Sequence, residues 1–302
     1  MTAPRRLLFV HAHPDDETLA TGVTMAHYAR AGHEVYVLTC TLGEEGEVIP
    51  TGLRHLAADQ DDTLGPHRRG ELREAMRRMG VQFTVLGERP AKGRLSRYRD
   101  SGMPGAESGQ RRDAFINAKL DKLADRVAEH FRRIRPDVVV TYDKDGGYGH
   151  PDHIQAHVAT FRAMSLLDEE EHPMAAYVIA TPKSWAKEDR SWLAEHVPVD
   201  LGLSVPTRDA AFPAAVVPDD TVTHVVIDSA VSGVVAEAMD AHATQISVHG
   251  DIYALSNLVA ARVPFREAFI QVDPTTGAPL RERGGEWEHG LLGRDVEGRR
   301  KK

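Results

Sequence analysis

Continuous apolar runs alternating with helix-patterned stretches constrain this chain more than any other feature. Leu7-Leu8-Phe9-Val10 is apolar at every position, as is Val138-Val139-Val140. A strand that shows no polar face is buried on both sides. The pattern predicts strands over 6–11, 35–39, 83–86, 137–142 and 177–180. Between them, 17–31, 69–79, 118–133 and 150–167 read as helices. Leu19, Val23 and Ala26 share a face, Gly32 and Gly80 sit where helices close, and Pro136 breaks the third. Strands that feed helices and return in the same direction form a parallel sheet covered on both faces. The expected fold class is therefore α/β, Rossmann-like, with a mostly parallel sheet and helices on both faces. After Pro182 the pattern weakens to a strand and capped helix in "THVVIDSAV" and a late strand in "FREAFIQV". Residues 1–181 are thus expected to form the catalytic domain and 182–273 a smaller C-terminal α+β region packed near the site. Residues 274–302, polar and ending in "GRRKK", read as a disordered tail.

Composition narrows the function classes. A net charge of −8 without a long basic stripe argues against a duplex nucleic-acid partner. No apolar stretch approaches a membrane span, and the run after Arg5-Arg6 is too short for a signal-peptide core. A single cysteine, Cys40, excludes an intramolecular disulfide, and the cytoplasm is the expected compartment. Following a buried strand with no basic neighbour, Cys40 reads as sheet packing, not as a nucleophile. The number of copies in the assembly is left open, a homo-oligomer included.

Two charged clusters sit where two of the strands end. "HAHPDDE" follows the first, and "DKDGGYGHPDH" follows "DVVVTY". Parallel strands share a direction, so both clusters belong to the carboxyl edge of the sheet, where such folds bind ligands. A dinucleotide-binding enzyme would place a glycine-rich phosphate turn at the first strand end. Asp15, Asp16 and Glu17 stand there instead. Carboxylates at a helix start also serve as ordinary caps, but capping does not account for His13 beside them. Imidazole with carboxylate suits zinc or ferrous iron, whereas calcium and magnesium prefer oxygen shells. His13 and Asp16 can supply two ligands across Pro14, and the second cluster a third from His150, His153 or His157. His153 and His157 have zincin spacing, but "HIQAH" lacks that motif's glutamate, and His157 reads as a helix-face packing residue. No G-x-S-x-G is present, which argues against a serine hydrolase.

With "VHAHPDDE" near the start and "GYGHPDH" after a central strand, the chain resembles the PIG-L/LmbE-like family of zinc-dependent N-acetylglucosamine deacetylases. "TCTLGEEGEV", "HRRGEL", "RDSGM" and "VVVTYDKDGGYGHPDH" resemble its mycothiol-biosynthesis branch, which acts on N-acetylglucosaminyl-inositol. The resemblance implies that His13, Asp16 and His153 ligate Zn2+, with Fe2+ an alternative the same ligands accept. It implies that Asp15 is the general base toward the attacking water and that His150 is a general acid or electrostatic stabiliser oriented by Asp152. Tyr148 would hold the oxyanion. Arg68 and Asp100 would grip sugar or inositol hydroxyls from loops, with Glu47 nearby. The implied partner is a small amino-sugar substrate. The competing reading within the family is a mycothiol S-conjugate amidase. That relative is understood to carry a lysine early in its first helix, where this chain reads "TLATGVT". Outside the family, a metal-bearing sugar-binding module would have no need of Asp15 or His150.

Overall fold

The computed structural model describes residues 3–207, 209–280 and 284–292. Strand β1 (Arg6–His11) is followed by α1 (Asp16–Arg30), β2 (Glu34–Thr39), α2 (Leu64–Met79) and β3 (Gln82–Val85). The chain then forms α3 (Leu120–Ile134), β4 (Val138–Thr141), the single turn α4 (Gly146–Gly149), α5 (Pro151–Met164) and β5 (Ala175–Pro182). The parallel part of the sheet runs β3-β2-β1-β4-β5. Strand order reverses between β1 and β4, so the two ends that carry the histidine motifs are neighbours at the switch point.

The unbroken apolar strands are buried on both faces, as their pattern requires. Leu8 and Val10 pack with Leu123, Val127 and Phe131 of α3 and Ala156 and Ala159 of α5. Leu7 and Phe9 face the other way, toward Val23 and Ala26 of α1 and Leu72 and Met76 of α2. Strand side chains alternate by two, so one six-residue strand serves two cores.

The C-terminal half does not stand apart from this sheet. After α6 (Lys183–His196), β6 (Val216–Val217) adds to β5, and β7 (His224–Ile227) leads into α7 (Ser232–Ala241). A small antiparallel sheet of β8 (Ser247–His249), β9 (Ile252–Ala254) and β10 (Ala260–Arg262) follows. Then β11 (Arg266–Val272) pairs antiparallel with both β5 and β7, extending the main sheet past the expected boundary at 181. The expected tail also departs from expectation where it is described. β12 (Glu288–His289) pairs with β7, Leu291 is fully buried, and the Tyr177 hydroxyl donates to its carbonyl at 3.0 Å. Trp287 and the Leu291-Leu292 pair give this stretch apolar surface to bury, which overrides its polar composition. Residues 281–283 and 293–302 of that predicted tail lie outside the described residues.

Helix α2 begins at Leu64, five residues before its predicted start. Pro66 falls in the first turn, where proline is tolerated because its missing N–H has no partner to lose. The consequence is functional: Arg68 is a buried helix residue and not a loop residue. No helix among the described residues is long and apolar enough to cross a membrane.

One buried carboxylate ties β11 to α1. Glu267 accepts from the Val23 N–H at 2.8 Å, the Thr24 N–H at 2.9 Å and the Thr24 hydroxyl. Burial outweighs these bonds and pushes the Glu267 carboxyl from 4.5 up to about 7. Between those values the folded chain keeps a proton that the unfolded chain has lost, so stability falls as pH rises through the window. Glu267→Gln is expected to flatten the decline in urea midpoint between pH 4.5 and 7. An unchanged slope in that variant would contradict the assignment.

Candidate active site

The turn between β1 and α1 is held in an unusual conformation. Asp15 has φ 117° and ψ −37°, a region that costs a non-glycine residue on the order of 1–3 kcal/mol. Its side chain makes no helix-capping bond, so the capping explanation for this acid fails. The carboxylate instead faces the Arg68 guanidinium at 3.1 Å. Arg68 also donates to the Pro14 carbonyl and, at 2.7 Å, to the Gly43 carbonyl. Gly43, at φ +63°, is required there, since a Cβ would lie 2.0 Å from an Arg68 nitrogen. Burial pushes the Asp15 carboxyl up to about 6, opposed by Arg68 and assisted by Asp16.

Asp16 gathers the other motif residues. Its Oδ2 accepts from the His13 N–H at 2.9 Å and the Tyr142 hydroxyl at 2.7 Å. The same oxygen lies 3.2 Å from His13 Nδ1 and 3.3 Å from His153 Nε2. Burial disfavours its charge, but His153 and His13 hold its carboxyl well below the usual range. His13 Nε2 faces two further carboxylates, Asp152 at 3.2 Å and Asp100 at 3.4 Å. Burial works against charge on His13, yet Asp100, Asp152 and Asp16 together hold its pKa well above the ordinary value. His150 is lowered to about 4 by burial, then by His13 and His153.

The second cluster is shaped by the "DGGYG" turn. Gly146 has φ +65°, and a Cβ there would lie 2.9 Å from the His153 Cβ and 3.0 Å from the Ile154 nitrogen, so only glycine fits. Its carbonyl lies 3.2 Å from His153 Nδ1. That bond places a proton on Nδ1, so in the neutral ring Nε2 carries the lone pair. His153 Nε2 is buried without a hydrogen-bond partner, and Tyr142 stacks on the ring at 4.1 Å.

These observations fit a metal ion. A buried lone pair, an imidazole ringed by carboxylates and an excess of negative charge would be costly without a cation. Nitrogens of His13, His150 and His153 lie within 4.8 Å of one another, as do ligand atoms of His13, Asp100 and Asp152. Asp16 Oδ2 lies between His13 Nδ1 and His153 Nε2, and imidazole with carboxylate is a donor combination that zinc and ferrous iron accept.

Several expected contacts take a different form. The Asp152 carboxylate faces His13 and accepts from the Ser101 N–H at 2.9 Å, away from the His150 ring. Asp152 meets His150 through its backbone: its N–H donates to His150 Nδ1 at 3.1 Å, because His150 caps α5. Arg68 and Asp100 are almost fully buried, and the two terminal nitrogens of Arg68 and both oxygens of Asp100 are engaged within the protein. Exposed Glu47 lines a separate cleft with Glu45 and Arg99. Tyr148 is 58% exposed and lies 5.1 Å from the His153 ring, at the mouth of a cavity of about 430 Å³. That cavity begins at Asp16, Tyr142 and His153 and extends to Trp185, Tyr253 and Phe265. His157 donates to the Tyr142 carbonyl at 2.9 Å, and Cys40 is buried with its thiol pushed up by burial, so both are packing residues.

The sequence reading missed Tyr142, Glu17 and His242. Tyr142 closes the β4 run, where its position at the strand end was the available signal. In sequence Glu17 is an acidic helix start, yet it is fully buried and 2.9 Å from His242. Nothing local distinguishes His242 among sixteen histidines.

Comparison with known proteins places the chain in a family. The model of the PIG-L family, GlcNAc-PI de-N-acetylase, matches residues 8–164, which span both motifs. A 1D-myo-inositol 2-acetamido-2-deoxy-alpha-D-glucopyranoside deacetylase of Streptomyces griseus subsp. griseus is 44% identical, covering 95% of this chain and 89% of the relative. Its namesake from Thermobifida fusca is 43% identical over 88% of this chain and 92% of its own. Among solved structures, the zinc inhibited form of teicoplanin deacetylase Orf2 superposes with a TM-score of 0.53 at 17% identity, covering 89% of this chain and 99% of the other. At that identity the likeness speaks for the fold. The chain belongs to the PIG-L family of GlcNAc-PI de-N-acetylases.

Proposed function

We propose that the chain is a metal-dependent deacetylase that hydrolyses the N-acetyl group of N-acetylglucosaminyl-inositol to acetate and glucosaminyl-inositol, a step of mycothiol biosynthesis. The observation that carries this reading is the His13–Asp16–His153 cluster with Asp15 poised beside it, in a chain closely similar to deacetylases of that inositol glycoside. His13, Asp16 and His153 would hold the ion, with zinc favoured by the imidazole ligands and ferrous iron an alternative. When bound there, a divalent metal polarises the amide carbonyl and lowers the pKa of the attacking water.

The protein's own groups do the rest. Asp15, ionised above about pH 6, accepts the proton of the attacking water. Arg68 fixes that carboxylate and is a positioning residue, not a substrate contact. His150 accepts the Asp152 N–H at Nδ1, which leaves Nε2–H as a donor. That tautomer suits an electrostatic stabiliser of the developing oxyanion, jointly with Tyr148, better than a resting general acid. The proton taken up by Asp15 can then pass to the leaving amine, so one carboxyl completes the cycle. A small amino-sugar is the partner we infer, in a cytoplasmic setting compatible with the single buried cysteine.

The substrate assignment is tested by competition kinetics. kcat/KM is expected to be much higher for N-acetylglucosaminyl-inositol than for free N-acetylglucosamine, because binding energy from the inositol can orient the acetyl group. Activity on a mycothiol S-conjugate is expected to be weaker still. Preference for the conjugate would make this chain the amidase instead.

A further inference from the structure

We propose that Glu17 and His242 are positioning residues for Asp15, forming a buried brace that holds its backbone in the conformation the reaction uses. The inference rests on the reading of Asp15 as the base. Asp15 sits at φ 117°, and its N–H donates to Glu17 Oε2 at 2.9 Å. The other oxygen, Oε1, is fixed by the Thr18 hydroxyl at 2.7 Å and by His242 Nε2 at 2.9 Å. Glu17 and His242 are both fully buried, and Glu17 does not line the cavity. His242 does not line the cavity either, so neither side chain is placed to touch substrate.

A buried Glu–His pair is a poor choice for stability alone, since apolar residues of similar volume often do as well. Its geometry explains its presence better. The strained turn needs an acceptor at the Asp15 N–H, and a carboxylate pinned at its far oxygen supplies a fixed one. His242 follows α7, 225 residues away, and its turn braces the other side of the site as well. The Thr244 N–H and hydroxyl donate to Glu71 at 2.9 and 2.7 Å, one helical turn beyond Arg68 on α2. Arg68 in turn holds the Asp15 carboxylate. The C-terminal turn that braces the Asp15 backbone thus also holds α2, the helix that carries Arg68.

The test compares Glu17→Ala, Glu17→Gln and His242→Gln in metal-loaded enzyme, each alone and combined with Asp15→Asn. Glu17→Ala is expected to lower kcat about a hundredfold, the effect of a misplacement near 1 Å, with KM and metal content unchanged. Glu17→Gln should restore most of the rate, because its amide oxygen can still accept the Asp15 N–H. In the Asp15→Asn background, Glu17→Ala and His242→Gln should each cost less than about twofold, the coupling expected of residues acting through one group. An equal loss in both backgrounds, a loss carried by KM, or loss of metal with turnover would each overturn the brace. If Glu17→Ala does not fold, His242→Gln in the two backgrounds gives the same comparison. Full turnover by Asp15→Asn alone would instead defeat the reading of the site, a separate result.

Discussion

Replacing Asp15 by alanine is expected to leave a full equivalent of metal in place and lower kcat by roughly a hundredfold to ten-thousandfold, the usual worth of general-base catalysis. The carboxylate touches Arg68 and none of the imidazoles, so its loss removes a proton acceptor without opening the His13–Asp16–His153 cluster. It does leave the buried Arg68 short of a counter-charge, which would destabilise the alanine variant. Asp15→Asn keeps a hydrogen-bond partner for that guanidinium and separates the two effects. Both variants should lose turnover alike, while the alanine form, which loses the hydrogen bond as well as the charge, unfolds at lower urea than the asparagine form. Elemental analysis alongside steady-state kinetics checks this. Near-normal turnover in either metal-replete protein would remove Asp15 as the base.

Ligand removal is the other large effect. His153→Ala removes the proposed ligand nitrogen together with the bond to the Gly146 carbonyl, the stacking on Tyr142 and the pairing with Asp16, so its fold is checked by urea unfolding alongside metal content. Metal content and activity are expected to fall together. Several kcal/mol of Lewis-acid stabilisation, at about 1.4 kcal/mol per decade, corresponds to a loss on the order of a thousandfold in kcat. His13→Ala and Asp16→Ala should behave likewise. His150→Ala is the discriminating control: its ring is close enough to ligate, but as a stabiliser it should lose turnover and keep the ion. Loss of metal from His150→Ala, or tight retention by His153→Ala, would redraw the ligand set. Chelation followed by reloading with zinc or ferrous iron then identifies which ion supports turnover.

The strand ends and the two histidine motifs were legible because each is local. An unbroken apolar run has only one stable place, inside a sheet, and the turn after it must lie at that sheet's edge. From β1 and β4 the sequence alone therefore determined that His13, Asp16 and His153 share one edge. The partners those side chains choose were decided by tertiary structure. Asp152 faces His13 because the start of α5 turns its carboxylate toward β1, while the helix N-terminus claims His150 through a backbone bond. Arg68 holds Asp15 because α2 begins at Leu64, ahead of the helix expected over 69–79. His242 reaches Glu17 only because β7 and β11 return to the sheet and deliver α7 against α1 and α2. Periodicity records which face of an element is buried, but not which distant element buries it. Contacts across 225 residues are set by the crossovers, and no window of sequence contains both ends.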